Sequence, residues 1–323
     1  MRKITPHLWF DQEAKEAAQF YTSIFANSRI THMTTIHGVP SPTGDSDIVA
    51  FELMGQPFMA ISAGPDFKMN PSISFIVNFD PSRDRNAHKN LDAAWDQLSP
   101  GGTVLMPLQE YPFSKHYGWL QDRYGVSWQL MLTNPDGEER PEIVPSLLFV
   151  GNVCGKAEEA IKFYLSVFQH SPTESARRES KMGAIMRHGA GQAPDKEGTV
   201  AFADVELAGT WFAGMDSALE HGFAFNEALS LLIPCETQAE IDYYWDKLSA
   251  DPKAEQCGWL KDRYGVSWQV WPTIIGEMMA KGMPEQIARL TQAFLPMKKY
   301  EIIKLREAYE NEGFIDTSSR SPV

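Results

Sequence analysis

The chain has 323 residues, 43% apolar and 22% charged, a composition that suits two ordinary globular domains and argues against wholesale disorder. A formal charge of −13 is the wrong sign for neutralising phosphates, so neither nucleic acid nor an acidic lipid surface is an expected partner. Cys154, Cys235 and Cys257 show no CxxC spacing, the N-terminus lacks the apolar run of a signal peptide, and no stretch approaches ~18 apolar residues. The expectation is a cytoplasmic protein that does not engage a membrane.

In chain order, residues 4–10 predict a strand and 14–25 an amphipathic helix, with Ala14, Ala17, Ala18, Tyr21, Ile24 and Phe25 on one stripe. Strands follow near 29–36, 48–54 and 57–62. The pattern then restarts with a strand at 72–79, a helix at 88–98 and strands ending in 126–132. That is a βαβββ module written twice. Pro135-Asp136-Gly137 and its charged neighbours read as a linker.

Everything then recurs. "AKEAAQFYTSIF" from Ala14 is answered by "AEEAIKFYLSVF" from Ala157, and Leu91, Ala94, Trp95 and Leu98 by Ile241, Tyr244, Trp245 and Leu248. "GWLQDRYGVSWQL" from Gly118 is answered by "GWLKDRYGVSWQV" from Gly258. The offset drifts between 139 and 156, as it does when only loops change length. A period this long means whole domains rather than a solenoid. The expected boundaries are 1–135, 136–276 and a helical tail over 277–323. In the tail, Pro284 opens a short helix, Pro296 breaks it, and a second helix reaches Glu312 before Gly313.

"HLWFDQEAKEAAQFY", "GPDFKMNPSISF" and above all "CGWLKDRYGVSWQV" resemble the PhnB-like branch of the vicinal-oxygen-chelate superfamily, which carries a 3-demethylubiquinone methyltransferase label. Glyoxalase I, bleomycin-resistance proteins and extradiol dioxygenases belong to the same superfamily. The resemblance covers both halves and much of the tail. It implies an α+β fold in which four βαβββ modules form two glyoxalase-like, cup-shaped domains. Members with one such domain pair as homodimers, so this chain is expected to be an internal pseudo-dimer, with further homodimerisation left open.

Alternation along 126–132 places Val126, Trp128, Leu130 and Leu132 on the face that packs under the helices. Gln129 then points into the cup, as does Gln269 in the second half. The resemblance puts both glutamines where metal enzymes of the superfamily carry a glutamate ligand, and puts His7 at a first-strand ligand position. The counterpart of His7 is Ser146. The remaining positions offer Met59, Ala60, Ile61 or Ser62 with Ser74 in one half, and Phe212, Ala213 or Gly214 with Ser230 in the other. A divalent ion wants three or four nitrogen, oxygen or sulfur donors, and these are short of that number. A divalent metal held by His7 and Gln129 is the alternative; a metal-independent pocket is the main expectation.

Trp9 joins His7 on the first strand. Phe67 and Asn70, with Phe223, Phe225 and Asn226, lie on the crossovers that border the cavity in this superfamily. Aromatics with an amide suit a small-molecule pocket, although core packing explains the aromatics equally well. Cys257 precedes the second motif and is a candidate thiolate nucleophile, or a buried small hydrophobe; His221 is the nearest histidine by topology. Glu110, His116 and Tyr117 crowd one stretch as an acid–base cluster or a solvated loop. Asp122-Arg123-Tyr124-Gly125 reads as a hairpin turn with Gly125 at positive φ. No glycine-rich loop opens a helix after a strand, since Gly101-Gly102 follows a helix, so a methyltransferase is not expected. The expected function is small-molecule binding of the bleomycin-resistance type. The alternative is a metal-dependent isomerase, lyase or dioxygenase.

Overall fold

The computed structural model describes residues 4–39, 41–42, 44–134 and 138–310. The first repeat runs β1 (Thr5–Phe10), α1 (Ala14–Ile24), β2 (Arg29–His37), β3 (Asp45–Leu53) and β4 (Gln56–Ser62). It continues with β5 (Ile73–Phe79), α2 (Ala87–Leu98), β6 (Thr103–Tyr111), β7 (Ser114–Gln121) and β8 (Ser127–Leu132). The second runs β9 (Ile143–Phe149), α3 (Ala157–Gln169), α4 (Glu174–Arg178), β10 (Lys181–Arg187), β11 (Val200–Leu207) and β12 (Thr210–Asp216). Its second module is β13 (Leu229–Cys235), α5 (Gln238–Leu248), β14 (Trp259–Lys261) and β15 (Ser267–Pro272). The tail holds α6 (Thr273–Lys281), α7 (Pro284–Phe294) and α8 (Ile302–Glu310). The expected linker Pro135-Asp136-Gly137 and the expected helix end at Glu312 and Gly313 lie outside the described residues. Among the described residues no helix is long and apolar enough to cross a membrane.

The strands form two sheets, and each takes one module from each repeat. The seven-stranded sheet has the order β14-β15-β13-β1-β4-β3-β2, and the eight-stranded sheet β10-β11-β12-β9-β5-β8-β7-β6. Replacing each strand by its repeat partner converts one order into the other, except that β6 has no partner. The four modules, the two cups and the tail are as the sequence implies. The expectation that each repeat closes its own cup is corrected, because the central seams join the repeats. β1 pairs antiparallel with β13 (His7 opposite Ser230), and β5 with β9 (Ser74 opposite Ser146). A module left to itself would expose these seam strands as unpaired edges. β5 and β9 are buried along their whole length, the pattern of strands covered on both faces.

Each repeat is nonetheless a packing unit, held on the helix side of the sheets. The stripe of α1 buries Ala14, Ala17, Ala18 and Tyr21, and that of α3 buries Ala157, Ala160, Ile161, Tyr164, Val167 and Phe168. One apolar core extends through both sheets and includes the fully buried Trp128 and Trp268. Burying a side chain of this size contributes on the order of 2 kcal/mol.

The twice-written motif closes this unit. Asp122 is buried rather than exposed at a hairpin tip, and it accepts hydrogen bonds from the N–H groups of Tyr124 (2.8 Å) and Val126 (3.0 Å) and from Trp128 Nε1 (2.8 Å). Asp262 repeats the set with Tyr264, Val266 and Trp268, and adds the Tyr164 hydroxyl of α3 at 2.7 Å. Burial pushes the Asp122 carboxyl up to about 6 against the hydrogen bonds that hold it down. The arginines stack on α1 and α3, Arg123 at 4.2 Å from the Phe20 ring and Arg263 at 3.9 Å from Phe163. Gly125 sits at φ 84, as the turn requires. The motif is a clasp between the two modules of a repeat.

Candidate functional site

Exchange of modules decides which polar residues meet. His7 on β1 and Gln269 on β15 line one cavity of about 420 Å³ in the seven-stranded cup, with Trp9, Met59, Phe67 and Trp259 in its wall. Gln129 belongs to the other sheet. The expected pairing of His7 with Gln129 is therefore corrected to His7 with Gln269, for the same reason that the cups cross the repeats.

His7 is only 3% exposed, and neither ring nitrogen has a protein hydrogen bond among the described residues. Its ring meets Trp259 edge-on at 5.5 Å. Burial lowers its pKa to about 3, so the imidazole is neutral and offers one donor and one acceptor. Gln269 donates from Nε2 to Ser230 Oγ (2.7 Å), and its Oε1 has no protein partner among the described residues. Trp9 spends its indole N–H on Gly64 O (2.8 Å) and stacks edge-on with Phe67 at 5.1 Å, so it supplies the cavity with an aromatic face only. The one carboxylate of the lining, Glu227, pairs with Lys261 at 2.7 Å.

The tail roofs this cavity with Met279, Phe294 and Tyr300. It is sewn to the sheet edge by Cys257 N–H to Met297 O (2.7 Å), Gly258 N–H to Lys298 O (2.8 Å) and Gln256 Nε2 to Leu295 O (2.6 Å). Gly258, at φ 81, is required twice over, since a Cβ there would strike the Tyr300 ring. Cys257 borders the cavity, but burial pushes its thiol up and its S–H donates to Leu295 O at 3.1 Å. A protonated thiol without a base is no nucleophile, and His221 lies elsewhere, bonded to Ser217 Oγ at 2.8 Å.

The crossover residues divide. Phe67 lines the cavity; the other four do not. Asn70 donates to Ala224 O (3.0 Å) and Asn226 to Lys68 O (2.8 Å), a reciprocal stitch between the two crossovers. Phe225 is core, 5.2 Å from Phe149, and Phe223 packs beside His221 at 5.0 Å. Sequence reasoning missed Trp271, Trp259 and the roof, and weighed Met59 only as a metal ligand. Trp271 was accessible, because it alternates with Gln269 on the same strand face.

The eight-stranded cup has Ser146 where the other has His7. Gln129 there is satisfied at both ends, donating to Ser74 Oγ and accepting from the Tyr117 hydroxyl, each at 2.7 Å. Ile76, Val144 and Ala213 cluster in it with Met131, Phe202 and Trp211. Arg140 lies 4.1 Å over Trp211 and pairs with Asp204 at 2.7 Å. A larger hollow of about 710 Å³ beside α2 is lined by both polar and apolar side chains, and its Arg83 and Arg140 are paired with Glu139 and Glu138.

A family model described as 3-demethylubiquinone-9 3-methyltransferase matches residues 2–131 and again 141–271. The chain belongs to this family. The match bears out the resemblance read from the motifs and its tandem form. A PhnB protein from Bacillus cereus, described as a putative 3-demethylubiquinone-9 3-methyltransferase, is 38% identical over 41% of this chain and 100% of its own, with a TM-score of 0.37. A Staphylococcus aureus protein is 32% identical over 42% and 98%, with a TM-score of 0.17. Glyoxalase I from Zea mays is 13% identical over 83% of this chain and 90% of its own, with a TM-score of 0.48. No curated protein matches the chain.

The donor chemistry does not fit a metal in either cup. Around the cavity, Met59 lies opposite His7 on β4, and Ser230 is engaged by Gln269, which leaves one imidazole and one amide oxygen. In the other cup the corresponding residues are Ser146, Ala213, Ser74 and Gln129, with no imidazole, carboxylate or thiolate. A divalent ion held by protein wants three or more such donors.

Proposed function

We propose that the seven-stranded cup binds one small, neutral, largely apolar and aromatic molecule without the help of a metal. The observation that carries this reading is that His7 and the Oε1 of Gln269, both without a protein partner among the described residues, line one cavity with aromatic walls. Both groups line the cavity and neither is used up by the protein, so both are available to a ligand. The cavity volume lies in the range of small-molecule sites. A ligand with one hydroxyl or carbonyl group on an aromatic body satisfies both residues. Lys261 beside the rim is committed to Glu227, so an anionic group buried beside His7 would have only Lys253 of the lining, an exposed side chain, to balance it.

On this reading the eight-stranded cup is a structural partner, and the tail is the roof that completes the working cup. The family description names a methyltransferase; the cavity offers an apolar receptacle and no ionised nucleophile, which supports binding rather than group transfer. The test is titration of the full chain with the neutral fluorescent probe N-phenyl-1-naphthylamine, followed by quenching of the wall tryptophans. Saturable binding at one equivalent, unchanged after treatment with EDTA, is expected. Binding abolished by EDTA and restored by a divalent ion would replace this reading with the metal-dependent one.

A further inference from the structure

A second group of chemically capable side chains lies outside both cups. On α2, His88 and Asp92 stand one turn apart, and Trp95 continues the same stripe. Facing them, β7 alternates so that Tyr117 turns inward to Gln129, while His116 and Gly118 turn to the helix. Gly118 admits the Trp95 ring, which a Cβ would strike, so the helix lies close to the strand there. One step further out, where the apolar contact ends, His116 meets His88 and Asp92. The two imidazoles stack with centroids 4.1 Å apart and planes 13° from parallel. Both address one carboxylate, His116 Nε2 at 2.6 Å from Asp92 Oδ1 and His88 Nδ1 at 3.2 Å from Oδ2.

The repeat supplies an internal comparison. The positions matching His88, Asp92 and His116 are Gln238, Asp242 and Gln256. There the tail covers all three. Gln238 donates to Tyr300 O (3.0 Å) and accepts from Ile302 N–H (2.9 Å), Gln256 donates to Leu295 O, and Asp242 pairs with Lys299 at 2.7 Å. Amides suit a backbone partner, because they donate and accept at once. In the first repeat the same positions are two imidazoles and a carboxylate, and they stand open, with His88 60% and Asp92 45% exposed at their side chains.

We propose that His88, Asp92 and His116 form a zinc-class divalent metal site that fastens α2 to β7. One ligand atom from each residue can be chosen so that all three lie within 4.8 Å of one another. Donors on a tetrahedral ion with bonds near 2.0–2.1 Å lie about 3.3 Å apart. His88 Nδ1 is 3.2 Å from Asp92 Oδ2 and His116 Nε2 is 2.6 Å from Oδ1. The two imidazoles thus meet different oxygens, and the stacked rings must turn to bring both nitrogens onto one ion. Imidazole nitrogens favour zinc, nickel or copper over magnesium or calcium. Three protein ligands leave the fourth position to water on the solvent side. The site differs from the seven-stranded cup, whose lining holds the single imidazole of His7 and the single carboxylate of Glu227, already paired with Lys261.

Zinc alone is the probe. Untagged, metal-free full-length protein is titrated with Zn²⁺ by calorimetry, and with Co²⁺ while the visible absorption of the ion is recorded. One equivalent is expected to bind. His116→Ala and Asp92→Asn should each weaken binding at least tenfold and remove the cobalt bands, while His7→Ala leaves both unchanged. His88→Ala, at an exposed position that does not endanger folding, should weaken binding as well. No stoichiometric binding, or binding retained in the His88→Ala/His116→Ala double variant, would overturn the proposal. Binding lost in His7→Ala alone would overturn it too, and would place the ion in the cup.

Discussion

The two cups share a strand plan and differ in what fills them. In the eight-stranded cup, Gln129 lies between Ser74 and Tyr117, Ser146 replaces the histidine, and Arg140 covers Trp211. In the seven-stranded cup, Gln269 keeps its serine but has nothing at the other end, His7 has no polar partner, and the tail closes the top without filling the space. Duplication leaves two copies of a scaffold, and only one of them must keep a site. The copy with Ser146 in the histidine's place pairs its glutamine at both ends, although Ser146 Oγ is left without a partner; the other leaves His7 and Gln269 Oε1 open to a ligand. The scaffold itself, carried by Asp122 and Asp262, is the same in both.

The sharpest way to separate scaffold from site is to damage the scaffold on both sides. Asp122→Ala and Asp262→Ala each strand an indole N–H and two backbone N–H groups in the core, and each should cost about 3 kcal/mol of unfolding free energy in urea. Asp262→Ala should lose somewhat more than Asp122→Ala, since it also strands the Tyr164 hydroxyl.

Next comes acid. The folded-state pKa of His7 is depressed to about 3 from its ordinary 6.5, so the unfolded chain binds the extra proton throughout that interval. The contribution is fully present above pH 6.5 and is lost as pH falls toward 3. Between pH 7 and pH 5 the wild type should lose about 2 kcal/mol through this group. His7→Asn should remove that share of the pH dependence, and Ser146 provides no equivalent in the other cup. An unchanged pH profile would mean that His7 is not buried as described.

Smaller still is the glutamine comparison. Gln129→Leu breaks two side-chain hydrogen bonds and should cost about 1–2 kcal/mol while leaving probe binding intact. Gln269→Leu breaks one, should cost less stability, and should weaken ligands that carry a hydroxyl group relative to purely apolar ones.

Much of this was legible from the sequence. Helical stripes such as Ala14, Ala17, Ala18 and Tyr21, and the duplicated order of strands, follow from local periodicity, and the motifs led to the family whose model matches both repeats. His7, Trp9, Phe67 and Gln269, expected as ligand contacts, line one cavity. Their grouping was not legible, because β1 and β13 meet across more than two hundred residues and alternation along a strand says which face a residue takes, never which strand lies beside it. Asn70 and Asn226 looked like ligand contacts because an amide that stitches two crossovers has the same sequence appearance as one that binds a substrate. The tail read as an appendage for a similar reason: the stripe of α7 announces an apolar face but not the surface that it covers.

The measurement that tests the central claim most directly counts binding sites and then closes one of them. Calorimetric titration of the full chain with N-phenyl-1-naphthylamine should give one equivalent. Met59→Trp, which fills the cavity beside His7 on the adjacent strand, should lower the affinity at least tenfold without loss of fold by circular dichroism. Two equivalents in the wild type, or unaltered binding in Met59→Trp, would contradict the account, because the probe would then occupy the eight-stranded cup or another surface.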